Sequence, residues 1–354
     1  MLNSEKIKGT VKGLLDSSHT YRYHFISKNA AYQALHHVEK QHGKLGQRKK
    51  KLAIAYASDV LGWKGYAPWL FVYTAVHGDF KEGWIPDNFY GKVVVPKIQG
   101  EYGEVSFLKP LNNIIFGEEM SPNLASFVNG FWFDKHFNQL ATDKVKETLF
   151  QERNKVVFKL DQSFQGKGVI ILEEKDFEVS QVAKLGNGVI QPYIEQHPFF
   201  EDFLSKAVAT IRLTTILDST NNASLRACYL RLGRSNDTHV QSSNHVRIPI
   251  DMETGAPMDF GYLPNWKTIE EHPDSNIPFS QKAIPNYKAC VEKVLRLHKK
   301  VPMVRSIGWD MVVDNTGEPV IMEWNGFGND IKFSEATQGP CFADLEWENL
   351  AKKH

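Results

Sequence analysis

The spacing of apolar residues changes along the chain. In "KNAAYQALHHVEKQHG", Ala34, Leu35 and Val38 recur at helical spacing, and Gly43 closes the pattern. "GWKGYAPWLFVYTAVHGDF" is dense in aromatic residues and predicts a core-packed helix ending near Gly78. A loop follows in "GWIPDNFYGKVVVPKIQG", with a short β-like run at 93–95. Residues 1 to about 100 therefore read as mainly helical. From 101 to about 150 short loops accompany one helix, "DKVKETLFQERN", in which Val145 and Leu149 stand four apart. At Lys155 the period becomes that of a strand. "KVVFKLDQSFQGKGVIILEE" predicts strand, loop and strand, followed by a helix in "EEKDFEVSQVAKLGNG". "VIQPYIEQHP" carries a proline, which predicts an edge or irregular strand. Strands dominate next, in "KAVATIRLTTILD", "ASLRACYLRLG" and "HVRIPID", with a polar turn at 218–223. A helix in "NYKACVEKVLRLHKKV" precedes the hairpin "SIGWDMVVDNTGEPVIMEWNG". Few strand–helix–strand units appear, which predicts an α+β fold with antiparallel sheets.

The 354 residues are enough for two or three packed domains with a large core. A hydrophobic content of 42% and a charged content of 23% are those of a soluble globular protein. The net charge of +1 gives no global field toward nucleic acid or membrane, and the basic run at Arg48, Lys49, Lys50 and Lys51 reads as a solvated face. The first residues lack the long apolar core of a secretory signal, and no stretch approaches the ~20 apolar residues of a spanning helix. Cys228, Cys290 and Cys341 form neither a CxxC nor a metal-finger pattern, and three is an odd number. They predict a reducing, cytoplasmic setting. The thirteen histidines show no Ser-His-Asp or HExxH signature.

The hairpin carries the clearest chemistry. Asp310 lies in "IGWDMVV", and Glu323 and Asn325, two apart on one face, lie in "VIMEWN". With Thr316-Gly317 as a two-residue turn, Asn315 faces Glu318 and Asp310 faces Glu323, about 5 Å apart; another loop length shifts this register by one. Opposed carboxylates repel unless a cation lies between them. Asp, Glu and Asn offer only oxygen, which suits Mg²⁺ or Mn²⁺ rather than zinc. The alternative is that one or both carboxylates are exposed or paired with Lys or Arg.

"FKLDQSFQGKGV" is not a P-loop, because Gly166-Lys167-Gly168 runs into a strand rather than Ser or Thr and a helix. A loop between two antiparallel strands can still lie over a phosphate chain, since glycine lets backbone N–H groups approach an anion. Lys159, at the end of the first strand, would be a phosphate partner. The plainer alternative is a glycine-rich hairpin with exposed lysines.

In order, "EGWIPDNFY", "VVFKLDQSFQGKGV", "VIQPYIEQHP", "TIRLTTI" and "GWDMVVDNTGEPVIMEWN" resemble the ATP-grasp superfamily. The likeness is closest to its sugar-transfer-associated branch and looser to the glutamate-ligase branch. It implies an ATP-grasp fold, two α+β subdomains that clamp a nucleotide, here a central one at 101–200 and a C-terminal one at 201–354, beside the helical region 1–100. It implies ATP and Mg²⁺ as cofactors. Lys159 then meets the adenine side and the α-phosphate, and Ser163, Gln165, Gly166, Lys167 and Gly168 form a flexible loop over the phosphates. Gln191, Tyr193, Ile194 and Glu195 fall in the linker strand, where Gln191 and the backbone of Tyr193 and Ile194 meet adenine; the alternative is an ordinary edge strand. His197 or a nearby acid approaches the ribose. Arg212 and Arg231 hold the γ-phosphate or an acyl phosphate, or else serve a structural ion pair. Asp310, Glu323 and Asn325 match the metal triad, for one or two ions. Two departures stand out. Many relatives carry a second ATP-binding lysine upstream, for which Lys109 and Lys135 are both candidates outside any clear motif. Many also carry a glycine pair after an asparagine, whereas "SSNHVRIPID" has Asn244 without it.

The activity implied is that of an ATP-dependent carboxylate–amine ligase on small molecules, working through an acyl phosphate and releasing ADP. The branch implies an amino acid joined to a sugar acid in polysaccharide biosynthesis. The alternatives are a kinase acting on a hydroxyl and a non-catalytic nucleotide-binding subunit of a glycan-assembly complex. A complete metal triad speaks against the last.

Overall fold

The computed structural model describes residues 2–120, 123–161, 168–203, 207–234, 244–279 and 283–352. The chain forms two compact units. One joins residues 1–100 with 265–267 and 330–354; the other joins 101–264 with 268–329.

The first unit is helical, as expected for its N-terminal part. Helix α1 (Leu2–His42) is followed by α2 (Gln47–Ala55) and α3 (Ala67–His77). Gly43, at φ 89°, ends α1 by donating its N–H to Glu39 O at 3.0 Å. Pro68 lies in the first turn of α3 and Gly78, at φ 97°, follows its end. Every residue from Ala67 to Thr74 is buried, as in a helix packed on all sides. Residues 93–95, expected as β-like, are helical. A π-helical turn, Tyr90–Val94, runs into the short helix Val95–Ile98. Pro96 sits in the first turn of that helix, where no N–H is needed, and Val94 and Val95 are buried, so packing overrides their β-propensity. The C-terminal helix Lys332–Thr337 places Glu335 inside this unit. Its carboxylate accepts N–H donors from Ile85 and Cys341, both at 2.7 Å. Burial nevertheless pushes the carboxyl up to about 7.

The second unit holds two sheets, and all strand pairings described are antiparallel. The first contains β1 (Ala125–Val128), β2 (Phe131–Asp134), β3 (Gln139–Leu140), β4 (Lys155–Leu160), β5 (Val169–Glu173) and β6 (Gly188–Pro192), in the order β3-β2-β1-β6-β4-β5. The expectation of loops before residue 145 missed β1–β3. The signal was there: Asn129-Gly130, at φ 49° and 90°, turns the β1–β2 hairpin. Of the two readings of "VIQPYIEQHP", an edge or an irregular strand, the edge reading is corrected, because β6 lies between β1 and β4. The pairing with β1 extends only to Ile190, so Pro192 reaches past it and owes no N–H to that neighbour. Helices Val145–Phe150 and Val179–Leu185 supply Leu149, Phe150 and Val182 to the core over Val156, Phe158 and Ile190.

The second sheet contains β7 (Thr210–Leu217), β8 (Ala223–Leu232), β9 (Val246–Pro249), β10 (Gly261–Tyr262), β11 (Thr268–Ile269), β12 (Ser306–Val313) and β13 (Pro319–Asn325). Its order is β11-β10-β9-β8-β7-β12-β13. Helix Tyr287–His298 packs Cys290, Val294 and Leu297 into its core. All eight positions of β7 and of β12 are buried, which brings polar residues on the non-core face out of water as well.

Candidate functional site

The β12–β13 hairpin brings Asp310 opposite Glu323, by a route the sequence does not show. Its tip is a three-residue loop: Asp314 N–H donates to Glu318 O at 3.0 Å, and Gly317 takes φ 89°. Asp314 Oδ1 caps the turn by accepting from the N–H groups of Thr316 and Glu318 at 2.9 and 2.8 Å. Val313 therefore faces Pro319, one residue off the expected pairing. A bulge between Asp310 and Met311 then inserts Met322 and restores Asp310 to Glu323. In an unbroken strand Ile321, Glu323 and Asn325 would share a face. The bulge sends Ile321 into the core with Met311 and turns Glu323 and Asn325 to the face of Asp310 and Gly308.

Asp310 is enclosed by arginines from neighbouring strands. Arg212, its partner on β7, donates Nε to Oδ1 at 2.5 Å and Nη2 to Oδ2 at 3.0 Å. Arg231 on β8 pairs with the same Oδ1 and donates Nε to the Thr210 hydroxyl at 3.0 Å. Burial would raise the Asp310 carboxyl, but the two guanidinium charges outweigh it and hold the group well below the usual carboxylate range. Gly308 leaves room for this packing. A Cβ there would stand 2.2 Å from Asn329 Oδ1 and 3.1 Å from Arg212 Nη1.

Two lysines approach the other arm. Lys159, at the end of β4, donates to the Met322 carbonyl at 3.3 Å, so the bulge links the two sheets. Burial pushes Lys159 down to about 8; Glu323 opposes the shift and Lys109 adds to it. Lys109 Nζ stands 3.7 Å from Glu323 Oε1, and the lysine is buried in the turn Lys109–Leu111. A polar chain fixes that turn: Asn123 Nδ2 donates to Lys109 O at 3.1 Å, and Gln191 Nε2 to Asn123 Oδ1 at 2.9 Å. Asp161, beside the Lys109 backbone, is pushed up to about 6 by burial against the pull of that lysine. Of the two candidate second lysines, Lys109 joins Lys159, whereas Lys135 is exposed. Gln191 Oε1 is buried with no hydrogen-bond partner among the described residues.

The other expected residues lie as follows. Glu195 runs beside the hairpin tip, where its Oε2 accepts Asn315 Nδ2 at 2.8 Å and its carbonyl accepts Asn315 N–H at 2.9 Å. His197 N–H donates to Val313 O at 3.0 Å. Tyr193 is exposed, with Lys155 over its ring at 5.9 Å, and Ile194 is half-buried. Gly168 O accepts the Leu160 N–H at 2.9 Å, while Ser163, Gln165, Gly166 and Lys167 lie outside the described residues. Asn325 Nδ2 donates to Gly308 O at 3.1 Å. The structure thus gathers Lys109, Lys159, Arg212 and Arg231 around Asp310 and Glu323. Sequence reasoning overlooked Asn123, Asp161, Gly308 and Asn329. Only Asn329, four residues past Asn325 in a glycine-rich stretch, offered a local signal.

Residues 178–343, a little under half of the chain, match the family described as sugar-transfer associated ATP-grasp. The match is confined to this segment, which is similar to that family. It includes Gln191, both arginines and the whole hairpin; Lys109 and Lys159 precede it. No curated protein matches the chain. Among solved structures it is similar to a biotin carboxylase from Campylobacter jejuni in complex with β,γ-ATP, at 14% identity and TM-score 0.46, over 92% of this chain and 69% of that one. It is also similar to the D-alanine–D-alanine ligase of Coxiella burnetii, at 14% identity and TM-score 0.40, over 71% and 58% of the two chains. A third likeness is to the biotin carboxylase domain of the Hydrogenobacter thermophilus 2-oxoglutarate carboxylase with MgADP and bicarbonate, at 13% identity and TM-score 0.42, over 69% and 44%. The chain thus spans only 44% of the last structure and 58% of the ligase. These likenesses are distant, and the similarity to the ATP-grasp family rests on the match over residues 178–343.

Proposed function

We propose that the chain is an ATP-dependent carboxylate–amine ligase. The observation that carries this reading is the convergence of four cationic side chains, from both sheets and the turn Lys109–Leu111, on two carboxylates of the segment similar to the ATP-grasp family. The excess of positive charge, largely out of water, suits a polyanion such as a triphosphate. Arg212 and Arg231 would hold the transferring phosphoryl group, and Lys109 and Lys159 the remaining phosphates. The unpartnered Gln191 Oε1 would accept an N–H of the adenine.

The donor set also fits a divalent cation, in a particular way. Among the described residues no three His, Cys, Asp or Glu side chains gather as a metal site, and the third candidate ligand is an amide. Both Asp310 oxygens serve guanidinium groups, whereas the Glu323 side chain is 41% exposed and Asn325 spends its Nδ2 on Gly308. Glu323 and Asn325 would therefore hold Mg²⁺ foremost, and Asp310 would join by releasing an arginine. Two protein oxygens are enough for Mg²⁺, which keeps water and phosphate as its other ligands. When bound, the ion supplies charge neutralisation on the phosphate oxygens.

In the reaction a substrate carboxylate oxygen bonds to the γ-phosphorus as the bond to ADP breaks. An amine then bonds to the acyl carbon, phosphate leaves, and the amine gives up a proton. The family description names sugar transfer, which accords with a sugar-linked substrate; a sugar acid and an amino acid are the pair this reading would join. The odd number and wide spacing of the three cysteines accord with a reducing, cytoplasmic setting. The test is ADP release against panels of carboxylates and amines, with hydroxylamine present. Hydroxamate formation is expected. ADP release with phosphorylation of a hydroxyl and no hydroxamate would replace the ligase with a kinase, and failure to bind MgATP would leave only a non-catalytic role.

A further inference from the structure

The helical unit carries a separate concavity of about 920 Å³, a size typical of small-molecule sites. α1 contributes Tyr21, His24, Phe25, Lys28 and Tyr32 to its lining, and the chain before α3 contributes Trp63 and Lys64. Its rings are open to solvent: Tyr21 is 74% exposed, Phe25 53%, Trp63 46% and Tyr32 44%. Scattered exposed rings need no explanation, but rings gathered around one hollow mark a binding surface.

Trp63 is also held in place. Its indole lies against Gly65, where a Cβ would stand 2.2 to 2.4 Å from ring carbons. Gly65 does not adopt a positive φ, so the ring rather than the backbone calls for glycine there. The rings of His24 and Tyr66 meet Trp63 edge-on, with centroids 4.6 and 5.0 Å away. Asn88 Nδ2 fixes the support by donating to Gly65 O at 3.1 Å and lying 3.3 Å from His24 Nδ1. The surrounding residues thus present an exposed tryptophan in one orientation, which lowers the ordering cost of binding. The charge is one-sided. Lys28 and Lys64 line the hollow, and among the described residues no Asp or Glu does.

We infer that this hollow binds an amphiphilic anion, whose apolar body lies across Trp63, Phe25 and Tyr21 and whose carboxylate or phosphate is held by Lys28 and Lys64. The inference is independent of the chemistry assigned to the sheets. It is tested on the full chain by calorimetric titration with dodecanoate and dodecyl phosphate below their micelle concentrations, with dodecyltrimethylammonium as the cationic control. Saturable one-to-one binding of the anions is expected, at least tenfold tighter than of the cation. The preferred anion identifies the head group as carboxylate or phosphate. Lys28→Glu with Lys64→Glu should weaken anion binding at least tenfold. Gly65→Ala should weaken it by displacing the indole, and Trp63→Ala provides a second variant should Gly65→Ala fail to fold. Equal binding of anion and cation, no saturable binding, or indifference to the lysine reversal would overturn the inference. So would binding only to anionic phospholipid vesicles, or a dimer in sedimentation that Trp63→Ala dissociates.

Discussion

Asp310 and Glu335 are buried carboxylates, one in each unit, whose environments move them in opposite directions. Asp310 meets two guanidinium groups, which outweigh its burial and keep it ionised. Glu335 meets two backbone N–H groups, which do not, and its carboxyl rises to about 7. The partners account for the difference. Backbone amides tie Glu335 to the chain at Ile85 and Cys341 and make it a clamp on two loops. Arginine side chains can change partners, so the charge at Asp310 can be passed to a ligand.

The strongest way to break this contrast is Glu323→Ala, which removes the half-exposed carboxylate opposite Asp310. ATP turnover should fall by about a thousandfold or more, the scale of losing a transition-state electrostatic partner, with the thermal melt nearly unchanged. Turnover close to wild type would remove the hairpin from the chemistry. Asp310→Ala comes next. It leaves two guanidinium groups buried without their anion and should cost about 3–5 kcal/mol in urea denaturation. Glu335→Ala strands two N–H donors, at about 1–3 kcal/mol each, and should leave nucleotide affinity intact. Gly308→Ala should cost about 1–3 kcal/mol as overpacking against Asn329 and Arg212.

The smallest effects are in pH. Lys159 is pushed down to about 8, so nucleotide affinity should fall as pH rises through that value, and Lys159→Arg should flatten the profile. Stability should carry opposite signs in the two units. The folded value of Glu335 lies above its ordinary 4.5, so its contribution is full below that pH and is lost as pH rises through about 7. The folded value of Asp310 is depressed, so its contribution is present above the ordinary 3.8 and lost in acid. Urea midpoints of Glu335→Gln and Asp310→Asn across pH separate the two.

Local chemistry was legible in the sequence, and long-range geometry was not. Strand β4, the hairpin arms and the end of α3 could be read because their periods and glycines act within a few residues. The Asp310–Glu323 pairing was reached for an incomplete reason: Asp314 and Gly317 mark the three-residue loop, but the Met322 bulge has no residue signature. The Asp310–Arg212–Arg231 cluster depends on β12 lying beside β7, a pairing across about a hundred residues that no local pattern announces. Lys109 owes its place to Asn123 and Gln191, and their bonds likewise form only in the folded chain. The β-like run at 93–95 failed because burial outranked propensity, and the edge reading of β6 failed because the β1 pairing stops at Ile190, short of Pro192.

The bond from Lys159 to the Met322 carbonyl has a kinetic side. At 3.3 Å, a neutral carbonyl is a weak rival for an ammonium group. Under the proposed function it would act as a placeholder: the carbonyl keeps the lysine extended, and an arriving phosphate would displace it with little work. The bulge thus keeps the cation ready without keeping it occupied.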